Sequence, residues 1–232
     1  HADDKDGQLE KLYEIVTSGL GGKGYRGPGG VTNPRIPKVE IHGLAQNMKV
    51  WRWMESVARR QKNRGPYLWG PHGAGKNYLV SVFAAMRRQG LVLISAHADM
   101  ERDEMLERQI LKHVPVPGAP KGTPPMVETD RKWTLFTEGM QRGDIVAWDE
   151  EIKLTDRVKS RLNGVLQTRQ FQSEVDHEVI KFAEHAVVVA MANPSGESNE
   201  NEILSADKAD RWTHMDVNYL PKEQEIALLK KR

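Results

Sequence analysis

The chain has 232 residues, of which 38% are apolar and 28% are charged, and its formal net charge is only +2. These values are typical of a globular α/β protein with a packed core, and the small net charge argues against a dedicated nucleic-acid-binding protein. The chain has no cysteine, which excludes disulfides and thiolate metal sites. It also has no apolar run near the roughly 20 residues of a membrane helix. The simplest expectation is a cytoplasmic protein without a membrane association.

The first part of the chain, residues 1–45, is predicted to be an extension outside the main domain. Four apolar residues recur at the spacing of a short amphipathic helix, and they are Leu9, Leu12, Tyr13 and Val16. The glycine-rich stretch Gly19–Gly30 is predicted to be a linker. Its basic residues, and the basic cluster between Arg59 and Arg64, give weak support for nucleic-acid binding, although solvated surface charge is the simpler interpretation.

Residues 46–222 are predicted to form an α/β domain, because strand and helix patterns alternate along them. The predicted strands are Tyr67–Trp69, Leu91–Ser95, Asp144–Trp148, Ala186–Ala192 and Met215–Tyr219. The predicted helices are Met48–Arg60, Asn77–Arg88, Met100–His113, Trp133–Arg142 and Asp156–Thr168. The stretch Val114–Pro125, rich in proline and glycine, is predicted to be a loop. Such alternation predicts a parallel sheet with helices on both faces.

A phosphate-binding loop is predicted between the first of these strands and the helix after it. The pattern G-x-x-x-x-G-K is met by Gly70, Pro71, His72, Gly73, Ala74, Gly75 and Lys76, followed by Asn77 and Tyr78. Glycines let backbone N–H groups converge on a phosphate, and Lys76 is expected to reach the β- and γ-phosphates of ATP. Asn77 stands where the pattern has Ser or Thr, whose hydroxyl binds Mg²⁺. Its amide oxygen is a substitute ligand, so ATP binding is expected to be more secure than fast hydrolysis.

Polar residues at two further strand ends complete the predicted site, because ligands of parallel sheets bind at the carboxyl ends of strands. One apolar strand ends at Asp149 and Glu150. Asp149 is expected to hold Mg²⁺ with Asn77, and Glu150 to polarise the attacking water, although the neighbouring Glu151 leaves this assignment open. Asn193, at the end of another apolar strand, is expected to sense the γ-phosphate.

Four stretches in this order resemble AAA+ ATPases of the MoxR type, in particular the Rubisco-activase-like and nitric-oxide-reductase-activating branch. They are the loop Gly70–Asn77, the approach Gly139–Glu150, the helix end Arg161–Arg169, and the stretch from Ala192 through Arg211 to Ile226. The resemblance implies a homo-oligomeric ring, hexameric in this family, with ATP at the subunit interfaces. It places Arg211 as the arginine finger that reaches the neighbouring subunit's γ-phosphate. It also implies a pore-facing insertion between Asp99 and Lys132.

The leading functional hypothesis is a ring ATPase that remodels a partner protein, with an adaptor of the von Willebrand type implied by the resemblance. One alternative is a DNA-directed AAA+ motor, such as a helicase, a loader or a packaging-like motor. The other is a nucleotide-gated scaffold that hydrolyses little ATP because of Asn77. Residues 223–232 are predicted to begin a truncated or minimal helical lid. The histidines show no metal-ligand spacing, so Mg²⁺ is the only metal expected.

Overall fold

The computed structural model describes residues 35–37, 39, 44–60, 64–101, 105–120, 122–193 and 211–229. The elements in chain order are α1 (Leu44–Arg60), β1 (Gly65–Trp69), α2 (Lys76–Arg87), β2 (Leu91–Ser95), β3 (Glu107–Val114), β4 (Met126–Trp133), α3 (Leu135–Arg142), β5 (Ile145–Asp149), α4 (Asp156–Thr168), β6 (Gln170–Gln172), β7 (Val179–Lys181), β8 (Val187–Ala192), β9 (Trp212–Asp216) and α5 (Lys222–Leu229). Five strands form a parallel sheet in the order β2-β5-β8-β1-β9. The predicted α/β fold class is therefore confirmed.

The middle of the sheet is apolar because its strands are buried on both faces. The strands β5 and β8 read IVAWD and VVVAMA, and nearly every one of these residues is buried. Alternate residues serve opposite faces. Val146 and Trp148 pack in one core cluster with residues of α3 and α4, whereas Ile145 and Ala147 pack in another with residues of α1 and α2.

The last strand of the sheet begins earlier than the sequence predicts. It covers Trp212–Asp216, whereas the prediction was Met215–Tyr219. The buried Trp212 starts the strand, and it pairs with Gly65 at the start of β1. A side chain on Gly65 would collide with the indole of Trp212, so the glycine allows the two strands to begin side by side.

The prediction of a helix over Met100–His113 is wrong. Residues of this segment form β3, which pairs antiparallel with β4 over its whole length, and the predicted loop Val114–Pro125 joins the two strands. The apolar spacing was misleading because it combined two different environments. Met105 and Leu106 are buried in the core, whereas Leu111 lies on the hairpin and is 73% exposed. The β3–β4 hairpin occupies the region where an insertion was expected.

A second, shorter hairpin of β6 and β7 was not predicted from the sequence. Its turn contacts the root of the β3–β4 hairpin. Arg131 on β4 forms ion pairs with Asp176, at 2.6 Å, and with Glu178. Glu107 on β3 is buried and accepts a hydrogen bond from the hydroxyl of Ser173 at 2.8 Å. These contacts hold the two hairpins against each other.

Several predictions concern residues outside the described part of the chain. They include the N-terminal helix Leu9–Val16 and the glycine-rich linker Gly19–Gly30. Beyond β9 the described chain continues into the single helix α5, where the sequence predicts the start of a lid. Among the helices that the structure describes, none has the length and apolarity needed to cross a membrane.

Candidate functional site

The loop between β1 and α2 has the backbone geometry that its glycines predict. Gly73 and Gly75 have φ angles of 79° and 83°, which residues with a side chain rarely adopt, and Gly75 caps the N-terminus of α2. Gly70 is constrained differently, because a Cβ atom there would lie 1.9 Å from the carbonyl oxygen of Val217. The loop therefore lies at the carboxyl edge of the sheet, directly against the chain that follows β9.

The other predicted loop residues lie at the surface of the same loop or on the first turn of α2. They are partly or fully exposed, and they are Pro71, His72, Ala74 and Tyr78. The first backbone N–H groups of α2 have no partner within the helix, which makes this end attractive to an anion. An exposed loop at a helix N-terminus is an arrangement well suited to phosphate binding.

Lys76 is the buried cation of the loop and joins it to Asn193, the residue directly after β8. Its ammonium donates hydrogen bonds to the carbonyls of Gly70 at 2.7 Å and Pro71 at 2.9 Å, and to Oδ1 of Asn193 at 2.5 Å. Burial lowers the pKa of Lys76, and the negative charge of Asp149 partly offsets that effect. The structure thus brings together three residues that lie far apart in sequence, at the edge where the prediction placed them.

Asn77 and Asp149 are in direct contact across the same edge. Nδ2 of Asn77 donates a hydrogen bond to Oδ2 of Asp149 at 2.9 Å. The amide nitrogen of Asn77, and not its oxygen, therefore faces the carboxylate. Rotating the amide by half a turn would present the oxygen instead, and Mg²⁺ prefers oxygen ligands. The donor set thus suits Mg²⁺ if the ion draws its remaining ligands from phosphates and water.

The three consecutive carboxylates at the end of β5 lie in different environments. Glu150 has a left-handed backbone, with φ 58° and ψ 37°, and its Oε2 lies 2.6 Å from Nζ of Lys153. Glu151 points the other way: it is buried, and its Oε2 accepts a hydrogen bond from the hydroxyl of Tyr67 at 3.0 Å. The ambiguity left by the sequence is thereby reduced, because Glu150 remains partly exposed beside Asp149 and Glu151 belongs to the core.

Arg211 does not join this group of residues. It directly precedes Trp212, which is paired with Gly65 at the opposite end of the sheet from the loop. The intervening five residues of strand span about 16 Å at the usual rise of 3.3 Å per residue. Arg211 is therefore separated from the loop of its own chain by the length of the sheet.

Two contacts at the loop were not predicted from the sequence. The hydroxyl of Tyr219 donates a hydrogen bond to the carbonyl of His72 at 2.7 Å, and the N–H of Val217 donates to the carbonyl of Trp69 at 2.6 Å. Both residues follow β9, and both reach the loop because β9 runs parallel to β1. No residue spacing in the sequence signals these contacts, since they depend on which strands are neighbours.

The geometry agrees with a comparison against protein families. Residues 67–209, more than half of the chain, match the AAA domain of the dynein-related subfamily. The chain belongs to this AAA family. The matched region of this AAA domain contains the loop, Asp149 and Glu150 at the end of β5, and Asn193. Membership supports ATP binding, and it confirms that the chain is of the predicted AAA type.

Solved structures share the fold of this AAA domain at low sequence identity. An ATPase candidate from Cytophaga hutchinsonii is 15% identical, with a TM-score of 0.57, and the match covers 99% of this chain and 57% of that one. NtrX from Brucella abortus, in complex with ATP, is 17% identical, with a TM-score of 0.52 and coverages of 99% and 47%. The chain thus spans about half the length of these structures. A comparison with curated proteins finds no match.

Replacing Asn77 by threonine tests whether this residue limits the ATP hydrolysis that is expected of the AAA domain. We expect Asn77→Thr to raise phosphate release at saturating ATP about tenfold, because a hydroxyl at this position is the usual Mg²⁺ ligand. The Mg²⁺ concentration needed for half-maximal turnover should fall at the same time. Asn77→Ala, which supplies neither group, is the control and should be slower than the native protein. A threonine variant no faster than the native protein would contradict the assigned role of Asn77.

Proposed function

We propose that this AAA domain binds ATP with Mg²⁺ at the loop Gly70–Asn77 and hydrolyses it within a homo-oligomeric ring of the MoxR type. The observation that supports this best is that two contacts between residues distant in sequence lie at the same edge of the sheet. Lys76 contacts Asn193, and Asn77 contacts Asp149. The residues expected to bind phosphate, metal and attacking water thereby lie around one exposed position.

Each side chain has a distinct role in the proposed reaction. Lys76 exchanges its contacts with loop carbonyls for the β- and γ-phosphates, while the loop N–H groups hold the same oxygens. Bound Mg²⁺, held by Asp149 and Asn77, would neutralise charge that develops on the phosphates. Glu150 orients and polarises the water that attacks the γ-phosphorus, and Asn193 fixes the position of the γ-phosphate.

Glu150 must change partners before it acts in this way. Its carboxylate is paired with Lys153 at 2.6 Å, an ion pair near the protein surface. Such pairs contribute little stability, typically about 0–1 kcal/mol, so breaking this pair is compatible with rapid turnover. The pair holds Glu150 close to the site while leaving it free to reorient when ATP binds.

The position of Arg211 supports a shared site between subunits. An arginine about 16 Å along the sheet from its own loop is too far away to stabilise the reaction there. At the opposite end of the sheet, Arg211 would instead face a neighbouring subunit. We assign Arg211 to the ATP bound by that neighbour, and this assignment requires a ring or another closed assembly; the MoxR resemblance favours a hexamer.

The hairpins favour a protein partner over a nucleic acid. The turn between β6 and β7 carries the carboxylates Glu174, Asp176 and Glu178, and Arg131 is already paired with two of them. Because Arg131 is engaged by these carboxylates, this turn is a poor contact for a phosphate backbone. In contrast, the β3–β4 hairpin exposes Leu111. We propose that both hairpins face the pore and contact a remodelled protein or an adaptor.

Assembly and turnover measured together test this proposal. We expect ATP to shift the mass of the protein, measured by light scattering after size exclusion, from smaller species to one ring. Phosphate release should require this assembly and should be the same with and without DNA. Stimulation of turnover by DNA, weakened by added salt, would instead favour the DNA-directed motor. Assembly with ATP but with negligible phosphate release would favour the scaffold.

A further inference from the structure

The buried carboxylate of Glu151 is the feature that the proposed reaction leaves unused. Glu151 is among the most completely buried side chains in the described part of the chain. Buried carboxylates are rare because removing a charge from water is unfavourable, so they usually have a specific partner. The partner here is the hydroxyl of Tyr67, which is itself 1% exposed.

Tyr67 and Glu151 belong to the two segments that form the candidate site, the strand before the loop and the acidic end of β5. Tyr67 is the central residue of β1, the strand that leads into the phosphate-binding loop. Glu151 directly follows Glu150, at the start of the helical turn Glu151–Lys153. The hydrogen bond between them therefore links the strand that carries the loop to the turn that carries the proposed water-polarising carboxylate.

The backbone conformation of Glu150 is held by contacts on both sides of the residue. Its φ of 58° places it in the left-handed region, which is unfavourable for a residue with a side chain. Before Glu150, the carbonyl of Asp149 accepts a hydrogen bond from the N–H of Ala96 at 2.8 Å. After Glu150, the N–H of Leu154 donates to the carbonyl of Glu151 at 3.0 Å and closes the turn. With Glu151 anchored inward, this backbone directs Glu150 to the opposite side, toward the surface.

We propose that Glu151 is a positioning residue, whose hydrogen bond with Tyr67 holds the Glu150 carboxylate in the orientation needed to polarise water. This inference rests on the proposed hydrolytic function. The link acts on the orientation of Glu150 and leaves the phosphate-binding loop itself intact. It should therefore affect the rate of hydrolysis and not the affinity for ATP.

Tyr67→Phe tests the link because it removes only the hydroxyl. We expect kcat to fall about tenfold, while the Kd for ATP changes less than about twofold. Glu151→Gln retains an oxygen acceptor of the same shape and should keep kcat within about threefold of the native value. A Tyr67→Phe protein with native kcat and a lowered melting temperature would show that the bond is structural only, and would overturn the proposal.

A double variant keeps the test valid if the single variant is unstable. Tyr67→Phe with Glu151→Leu removes both partners of this hydrogen bond together, so neither is left buried without the other and stability should recover relative to the single variant. The low kcat should nevertheless persist, and recovery of native kcat would overturn the proposal. Glu150→Gln is the reference for the reaction itself: native turnover in that variant would reject the proposed function, whatever the Tyr67 variants do.

Discussion

A Lys76→Ala protein is expected to bind ATP at least about 100-fold more weakly than the native protein. Lys76 is the buried cation of the loop, and three acceptors converge on its ammonium within 2.9 Å. Charge-assisted hydrogen bonds to phosphate are among the strongest polar contacts, and 100-fold in Kd corresponds to about 2.8 kcal/mol. Fluorescence titration with a labelled ATP analogue, or calorimetry with ATP, measures the change.

Matched variants separate this effect from a general loss of charge or stability. Lys112→Ala removes one lysine from the exposed β3–β4 hairpin, where it lies 3.5 Å from Asp130. It should bind ATP with native affinity. The melting temperature without nucleotide should be compared for both variants, because Lys76 also bridges the loop and Asn193. Equal ATP affinity in Lys76→Ala and the native protein would reject the loop as the nucleotide site.

An Arg211→Ala protein is expected to bind ATP normally and to hydrolyse it about 10³-fold more slowly. Arginine fingers contribute about 10³–10⁵ in rate by stabilising charge on the transferring phosphoryl group. The loop, Asp149 and Glu150 are distant from Arg211 and remain intact in this variant. Arg157→Ala, which removes an exposed arginine from α4, is the control and should retain native turnover.

Mixing two inactive variants tests whether Arg211 acts on a neighbouring subunit. An interface between one Arg211→Ala subunit and one Lys76→Ala subunit can combine an intact loop from the first with an intact arginine from the second. We therefore expect the mixture to regain turnover that neither variant has alone. A mixture that forms the assembly and stays inactive would contradict action between subunits, and native turnover of Arg211→Ala alone would remove the residue from the reaction.

The parallel core was predictable because its signals are local. The glycine loop, the apolar strands β5 and β8, and the polar residues at their ends are contiguous in sequence, and the strand order at the carboxyl edge brings them together. Asn193 is the clearest example, since the prediction used only its position at a strand end. The structure places its side chain 2.5 Å from Lys76.

The two hairpins were not predictable in the same way. Helical spacing of apolar residues over Met100–His113 is a reliable signal only when all of these residues face one core. Here Met105 lies in the core, whereas Leu111 lies on an exposed strand whose partner, β4, comes from beyond a long loop. The short strands β6 and β7 have three residues each, too few for an alternating pattern to be recognised.

Which of the three acidic residues is buried could be learned only from the structure. Three carboxylates in a row, Asp149 to Glu151, have no chemical difference that assigns one to the core. The difference comes from Tyr67, which lies far away in sequence and faces the turn only because β1 is near β5 in the sheet. A buried glutamate next to a proposed catalytic glutamate was therefore not expected.

The most direct test of the central claim is the nucleotide content of the protein after incubation with ATP and Mg²⁺. The native protein should hold mainly ADP and should release phosphate continuously. Glu150→Gln should bind ATP with native affinity, retain it unhydrolysed, and turn over at least about 100-fold more slowly, because it lacks the carboxylate that polarises water. Native phosphate release by Glu150→Gln, or no ATP bound by either protein, would contradict the assignment of this edge of the sheet as an ATPase site.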